Sequence, residues 1–292
     1  MKIAYCIHYL GKSFDELSEN VDQLIDQGDD VFVMINDDDL RDQMVITYAD
    51  EPALHVSQIQ QQALHGDLSL PRGQIVQLRN ALDAQINEKK SYDRFILLTD
   101  GMLPLKSKEE IVRYLDQYPD QDIYYIKATS QEDPSLKKRF ENYAFFTNTL
   151  SFQKSKMVKG MNTITSKLVH NFKKREIEDT LVLSYPWFIL TEKSARALGD
   201  AFPYCSNTFK MCLYPEELAI ATMLRKFSDV KHHNESVWVV GKNGEYQFQE
   251  PIEPLSEEAL RSHPKALFGA TIHPETNLSI YQDYFDAYSI NQ

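Results

Sequence analysis

Two apolar runs close to the amino terminus, separated by an amphipathic stretch, limit the possible folds of this chain more than any other feature. A strand is predicted from Lys2 to His8, a helix at about Phe14 to Gln27, and a second strand from Val31 to Ile35. This order is typical of a βαβ unit with parallel strands. Ligands of open α/β sheets bind at the carboxyl ends of such strands. We therefore expect an α/β protein whose site lies at that edge.

The alternation of predicted strands and helices continues through the first half of the chain. Residues 70–74 hold a Pro and a Gly, and they lead into residues 75–86, whose apolar side chains recur at helical spacing. Buried strands are predicted from Phe95 to Leu98 and from Ile123 to Ile126. These elements extend the βαβ unit into a larger sheet flanked by helices.

The second half of the chain is less regular. Residues 154–175 are rich in lysine, poor in acidic residues and show little periodicity, which predicts an exposed connecting region that is mobile without ligand. Beyond it we expect a strand over Trp187 to Leu190 and a helix that begins at Pro215. Because there is no repeat and no low-complexity linker, residues 1–292 are expected to form a single domain.

Composition argues against several classes of function. The chain carries 31 Lys and Arg against 43 Asp and Glu, a formal net charge of −12, so it lacks the basic surface that nucleic acid binding requires. No window approaches the run of about 18 apolar residues that spans a bilayer, and the amino terminus lacks the apolar segment of a signal peptide. We expect no nucleic acid partner, no transmembrane segment and a cytoplasmic location.

Cysteine, histidine and glycine patterns narrow the chemistry further. Cys6, Cys205 and Cys212 are odd in number and lack metal-ligand spacing, which fits a reducing compartment. His232 and His233 are adjacent, which favours a surface pair over a metal site. Gly-x-Gly-x-x-Gly, P-loop and Gly-x-Ser-x-Gly motifs are absent from the sequence. This argues against dinucleotide oxidoreductases, P-loop enzymes and serine hydrolases.

Two acidic turns follow predicted strands. Asp37 to Asp39 form an Asp-x-Asp pattern, which either holds a divalent ion that bridges a nucleotide diphosphate or is a solvated acidic turn. Asp100 and Gly101 follow the strand that ends near Leu98, and this dipeptide suits a ligand contact or a simple turn. For each turn, the residues are compatible with a ligand or metal site and with a purely structural turn.

A third acidic group lies at a predicted helix start. Pro215 suits the first helical position, and Glu216 and Glu217 fall in the first turn, where the helix dipole favours carboxylates. In the purely structural interpretation, these acids only complement the helix dipole. A general base for a sugar hydroxyl must also stay ionised, and the same dipole would keep it so. The structural and the catalytic hypotheses are therefore compatible.

Four segments, in order from residue 2 to about 224, carry a resemblance to a known family. They are IAYCIHYLG with VFVMINDD after it, FILLTDGMLPLKSKEEIV, SYPWFILTEKSARAL, and YPEELAIATML. Together they resemble the core-2/I-branching family of β-1,6-N-acetylglucosaminyltransferases and peptide O-xylosyltransferases. The resemblance implies an A-type glycosyltransferase fold, a Rossmann-like mixed sheet flanked by helices. Residues 1 to about 130 would bind the nucleotide sugar, and residues from about 131 to 292 the acceptor.

The resemblance also implies site residues, an inverting reaction and no metal or other cofactor. Glu217 would be the base that deprotonates the acceptor hydroxyl, with Trp187, Glu132 and Arg139 as acceptor contacts. The positions implied for the UDP-sugar are Cys6, His8, Asp37, Arg72, Gly73, Asp100, Gly101 and Lys265.

Two departures from the family pattern affect this expectation. The family's Asp in Gly-x-Asp is Met102 here, and its Leu-Phe-Ala-Arg-Lys-Phe is Leu-Phe-Gly-Ala-Thr-Ile over residues 267–272. The second change removes the cations that neutralise the departing diphosphate, a contribution of several kcal/mol. The candidates to replace them are Lys265, His273, the lysine-rich stretch or a metal on Asp37 to Asp39.

Three functions remain under consideration. We favour an inverting transferase that moves a sugar, with N-acetylglucosamine as the expected one, from a UDP donor to a glycan or lipid-linked acceptor at the inner face of the membrane. A metal-dependent sugar or nucleotidyl transferase that uses Asp37 to Asp39 is the first alternative. A degenerate relative that binds a nucleotide or glycan without turnover is the second.

Overall fold

The computed structural model describes residues 1–58, 62–99, 102–149, 152, 155–170, 172–250 and 255–270. The described strands are β1 (Ile3–Tyr9), β2 (Asp30–Ile35), β3 (Leu54–Val56), β4 (Arg94–Thr99), β5 (Leu103–Pro104), β6 (Gln121–Ile123), β7 (Ile126–Thr129), β8 (Val182–Ser184), β9 (Phe188–Leu190), β10 (Lys231–His233), β11 (Trp238–Val240) and β12 (Phe268–Ala270). The described helices are α1 (Phe14–Asp26), α2 (Asp38–Thr47), α3 (Ser69–Asn87), α4 (Lys108–Leu115), α5 (Ser135–Glu141), α6 (Lys156–His170), α7 (Glu192–Asp200), α8 (Phe202–Thr208), α9 (Ala219–Phe227) and α10 (Glu257–Ser262).

A seven-stranded mixed sheet forms the centre of the structure, with strand order β10-β6-β9-β4-β1-β2-β3. Strand β1 pairs in parallel with β2 and β4, whereas β9 runs antiparallel to β4 and β6. The expected α/β class, with a mixed sheet flanked by helices, is confirmed. The arrangement is compatible with a Rossmann-like fold.

The sheet separates two hydrophobic cores because successive side chains of a strand point to opposite faces. On β1, Ala4 and Cys6 belong to the core that includes residues of α3, α7 and α9. The alternate residues Tyr5 and Ile7 belong to the core that includes residues of α1, α2 and α4. Among the described residues, no helix is both long enough and apolar enough to cross a membrane.

The first three predicted elements are confirmed, and two later boundaries are corrected. Residues 70–74 do not precede a helix but lie inside α3, which begins at Ser69; Pro71 is tolerated because it falls in the first turn. The strand predicted from Ile123 to Ile126 is two strands, since β6 ends at Ile123 and β7 begins at Ile126 in a different sheet.

The expectation of little periodicity over residues 154–175 is wrong for residues 156–170, whereas the expected exposure is confirmed there, since Asn162 is the residue of this segment that is buried. Residues 156–170 form helix α6, and its apolar side chains are on the exposed side. The predicted helix at Pro215 also begins differently. Residues 215–217 form a 3₁₀ turn, and the α-helix proper, α9, begins at Ala219.

Candidate functional site

The carboxyl ends of the parallel strands hold several of the residues predicted to bind a donor. His8, near the end of β1, is the register partner of Met34 on β2 and of Thr99 on β4. Its side chain is fully buried. Asp100 and Gly101, which follow Thr99, lie outside the described residues. The structure therefore describes the predicted sheet edge as far as Thr99 on β4.

Helix α3 crosses β1 so closely that one glycine is required. A Cβ placed on Gly73 would lie 2.2 Å from His8 Cε1, far inside van der Waals contact. The structure thus brings His8 and Gly73 together. Gln74 and Gln77 hold α3 in place, because their amides donate to the carbonyls of Pro186 and Ile7, respectively.

Two other residues predicted at the donor site, Cys6 and Arg72, pack against neighbouring side chains of the protein. Cys6 is buried in the core beneath α3, and burial raises the pKa of its thiol well above the usual range, so it packs as a small hydrophobe. The Arg72 guanidinium lies over the Phe202 ring at 5.5 Å. Its buried Nε has no hydrogen-bond partner among the described residues, so it keeps one unused donor.

The Asp37 carboxylate is used by its own helix. It caps α2 by accepting from the Leu40 backbone N–H at 3.1 Å, and the exposed Lys12 lies 3.3 Å from its other oxygen. The backbone hydrogen bond and Lys12 lower the pKa of Asp37. The described residues include no group of three or more His, Cys, Asp or Glu that could hold a metal ion. Asp37 to Asp39 are thus a helix start in this structure.

The turn before α9 buries two adjacent carboxylates, Glu216 and Glu217. It is set up by Tyr214, whose backbone is left-handed with φ 49°, and by Pro215 at the first position of the 3₁₀ turn. A bulky residue in this conformation is uncommon and is often found at functional sites. The two side chains leave the turn toward different partners, so each has its own environment.

Glu217 is fully buried and held on both oxygens. Arg139 Nη1 forms an ion pair with Oε2 at 2.8 Å, while the Tyr246 hydroxyl and the Gln249 backbone N–H donate to Oε1 at 3.2 and 2.5 Å. Burial raises the pKa of Glu217, and the attraction of Arg139 and the two hydrogen bonds oppose that rise. Gln249 has φ 65°, so a second residue with a left-handed backbone presents its N–H to Glu217.

Glu216 has fewer polar partners than Glu217 among the described residues. Its Oε1 accepts from the Gly66 backbone N–H at 2.6 Å, and its Oε2 has no hydrogen-bond partner among the described residues. Burial, followed by repulsion from Glu217, raises the pKa of Glu216 to about 7. Two buried carboxylates in succession hold a proton more readily than either would alone. The pair is therefore suited to gain and release a proton near neutral pH.

Arg139 connects this carboxylate pair to a cleft of about 480 Å³ between α5 and α6. Both Arg139 and Gln249, which contact Glu217, also line the cleft. Lys138 and Lys167 are two more cations in the lining, against the single carboxylate of Asp133. A cleft with this balance of charge suits an anionic group, and the Arg139 side chain separates it from the buried carboxylate of Glu217.

Three more residues predicted at the site differ in their surroundings. Trp187 is buried; its indole N–H donates at 2.9 Å to Oγ1 of Thr99, the register partner of His8, and its ring packs against Tyr246, which donates to Glu217. Glu132 is exposed and accepts from the backbone and hydroxyl of Thr129 within a local turn. Lys265 is exposed, and its charge acts on Glu235. His273 lies outside the described residues.

The resemblance implied that Arg139 contacts the acceptor, but no local pattern in the sequence paired it with Glu217. It also missed Tyr246 and Gln249, whose short, irregular surroundings carry no periodic signal. The presence of two acids, rather than one, beside Pro215 was the available signal for Glu216. Comparison with known protein families and with curated proteins finds no match to this chain.

Proposed function

We propose that this protein is an inverting glycosyltransferase that moves a sugar from a UDP donor to a hydroxyl of a glycan or lipid-linked acceptor. The observation that carries the proposal is the buried Glu217, held by Arg139 beside a cationic cleft. The resemblance implies a base at this position, which supports the proposal. The proposed donor site is the sheet edge at His8 and Gly73, and the proposed setting is the cytoplasmic face of a membrane.

In the proposed reaction, Glu217 accepts the proton of the acceptor hydroxyl as the hydroxyl oxygen bonds to the anomeric carbon and the bond to UDP breaks. Glu217 is closed off by Arg139 and Gln249 in this arrangement, so one of them moves when the acceptor enters. Arg72, which precedes Gly73 in α3 and keeps an Nε donor unused among the described residues, is the proposed cation for the diphosphate, in place of the family's missing Arg-Lys pair.

The test is a screen of nucleotide sugars that measures nucleotide release with and without EDTA. We expect release from one UDP-sugar that resists EDTA and falls by about two to four powers of ten in Glu217→Gln. Glu109→Gln is the matched control, because it makes the same change at an exposed position of α4 that belongs to neither proposed site. Release that is abolished by EDTA and by Asp37→Asn would instead favour the metal-dependent alternative.

A second candidate is a protein that binds a nucleotide or glycan without turnover. It is favoured by the complete burial of Glu217 and by the contacts that occupy both of its oxygens. Calorimetry with UDP distinguishes the two functions when no donor is consumed. Binding that is equal in the parent protein and in Glu217→Gln, with no turnover in the presence of acceptors, would support the binding function.

A further inference from the structure

Helix α6 is attached to the rest of the protein by its polar face. The Asn162 side-chain oxygen accepts from the Phe145 backbone N–H at 2.6 Å, and the Ser166 hydroxyl donates to the Tyr143 carbonyl at 2.6 Å. Asn162 is the buried residue of this helix. An ordinary surface helix does the opposite, as α1 does when it buries Leu17, Val21 and Leu24.

The outward face of α6 is a continuous apolar stripe. Met157, Met161, Ile164 and Leu168 recur at helical spacing on the side away from Ser166, and all four are exposed. Met157 is 72% exposed, Ile164 is 63% exposed, and Phe172, just beyond the helix, is 91% exposed. Single exposed apolar residues are ordinary, but a contiguous patch of them marks an interaction surface.

The charge around this stripe differs from that of the whole chain. The chain has a net charge of −12, yet no Asp or Glu occurs between residues 154 and 175. Lys156, Lys167, Lys173 and Lys174 are all exposed. An apolar stripe bordered by lysines is the pattern of helices that lie in the surface of an anionic bilayer.

We propose that α6 and Phe172 dock this protein on an anionic lipid membrane, with the apolar stripe in the acyl boundary and the lysines at the headgroups. A second copy fits less well, because a symmetric contact would bring this lysine-bordered surface against itself. Asn162 and Lys167 of α6 line the cleft beside Arg139, so docking places the cleft next to the lipid. The docking itself does not depend on the proposed transferase activity.

The experiment is cosedimentation of the full chain with vesicles, compared between phosphatidylcholine alone and equal parts of phosphatidylglycerol and phosphatidylcholine. We expect binding to the anionic vesicles that weakens with salt. The double variant Ile164→Ser and Leu168→Ser should bind about a hundredfold more weakly. The matched control is Ile46→Ser with Ile86→Ser, two residues 77% and 67% exposed on other helices, which should bind as the parent does.

Other outcomes overturn the proposal. Binding that is equal in the stripe variant and in the control would assign docking to a different surface. No vesicle binding, together with a concentration-dependent dimer that only the stripe variant loses, would make a second copy the occupant. Absence of both would leave the stripe without this role. Circular dichroism melts confirm that each variant is folded, and the donor screen remains an independent readout of the proposed enzyme.

Discussion

The acidic turns at Asp37 and at Glu217 share a local pattern, acids at the start of a helix, but differ in their surroundings. Asp37 is partly exposed, its carboxylate caps α2, and its pKa is lowered. Glu216 and Glu217 are buried, and the pKa of each is raised. The helix-start pattern alone therefore does not determine the chemistry of an acid. Burial and the identity of the neighbouring cation determine whether the pKa of such an acid is raised or lowered.

Arg139→Met tests the buried turn most strongly. The variant leaves Glu217 buried without its cation, which should lower the free energy of unfolding by about 3–5 kcal/mol. Since the pKa of Glu217 is already raised by burial, losing Arg139 raises it further. The destabilisation should thus be larger at about pH 8 than at about pH 5, because a raised pKa favours the protonated carboxyl as pH falls.

Urea unfolding at the two pH values measures this effect, and Lys12→Met at the exposed turn is the control expected to change little. The double variant Arg139→Met with Glu217→Gln should recover part of the loss. An equal loss at both pH values would show that Arg139 stabilises mainly through its bonds to the Leu213 and Tyr214 carbonyls.

The free energy of unfolding should depend on pH in opposite directions at the two turns, because the pKa of Asp37 is lowered and that of Glu216 is raised. Its pKa is raised from 4.5 to about 7 in the folded state, so the folded state binds more protons than the unfolded state between these values. Stability should fall as pH rises through this window, by on the order of 3 kcal/mol. Urea unfolding of the parent protein and of Glu216→Gln at several pH values checks this. The free energy of unfolding should change much less with pH in the variant than in the parent. A parent curve that is flat over this range would contradict the raised pKa.

The contrast between buried and exposed positions extends to glycine. Gly73→Ala places a Cβ against the His8 ring and should destabilise the protein by about 1–3 kcal/mol. Gly160→Ala in α6 meets open space and should stabilise the helix by about 0.5–1 kcal/mol. Thermal melts of the two variants measure the difference. Equal effects would mean that α3 can move away from β1.

The smallest effect is expected at the exposed acidic turn. Asp37→Ala removes the side chain that accepts from Leu40 and should lower the melting temperature slightly. Asp37→Asn retains a good capping oxygen and should melt as the parent does. A loss in Asp37→Asn as large as that in Asp37→Ala would show that the charge, rather than the cap, stabilises α2.

Local patterns predicted the start of the chain well. Strand β1, helix α1 and strand β2 follow from apolar runs and helical spacing within the first 35 residues. Helix α6 was missed although Met157, Met161, Ile164 and Leu168 recur at helical spacing, because these residues were not recognised as one helical face. The sequence pattern does not show that this face points outward, since that depends on the contacts that the polar face makes to the protein.

The sequence by itself determined the α/β class, the parallel strands at the amino terminus and the acids beside Pro215. These depend on residues close together in the chain, where spacing and helix-end chemistry act directly. Only the tertiary structure decided that Arg139 and Gln249 meet Glu217, that Trp187 is buried, and that Asp37 is a helix cap. Partners so distant in sequence leave no local pattern, because their contact depends on how the whole sheet and its helices pack.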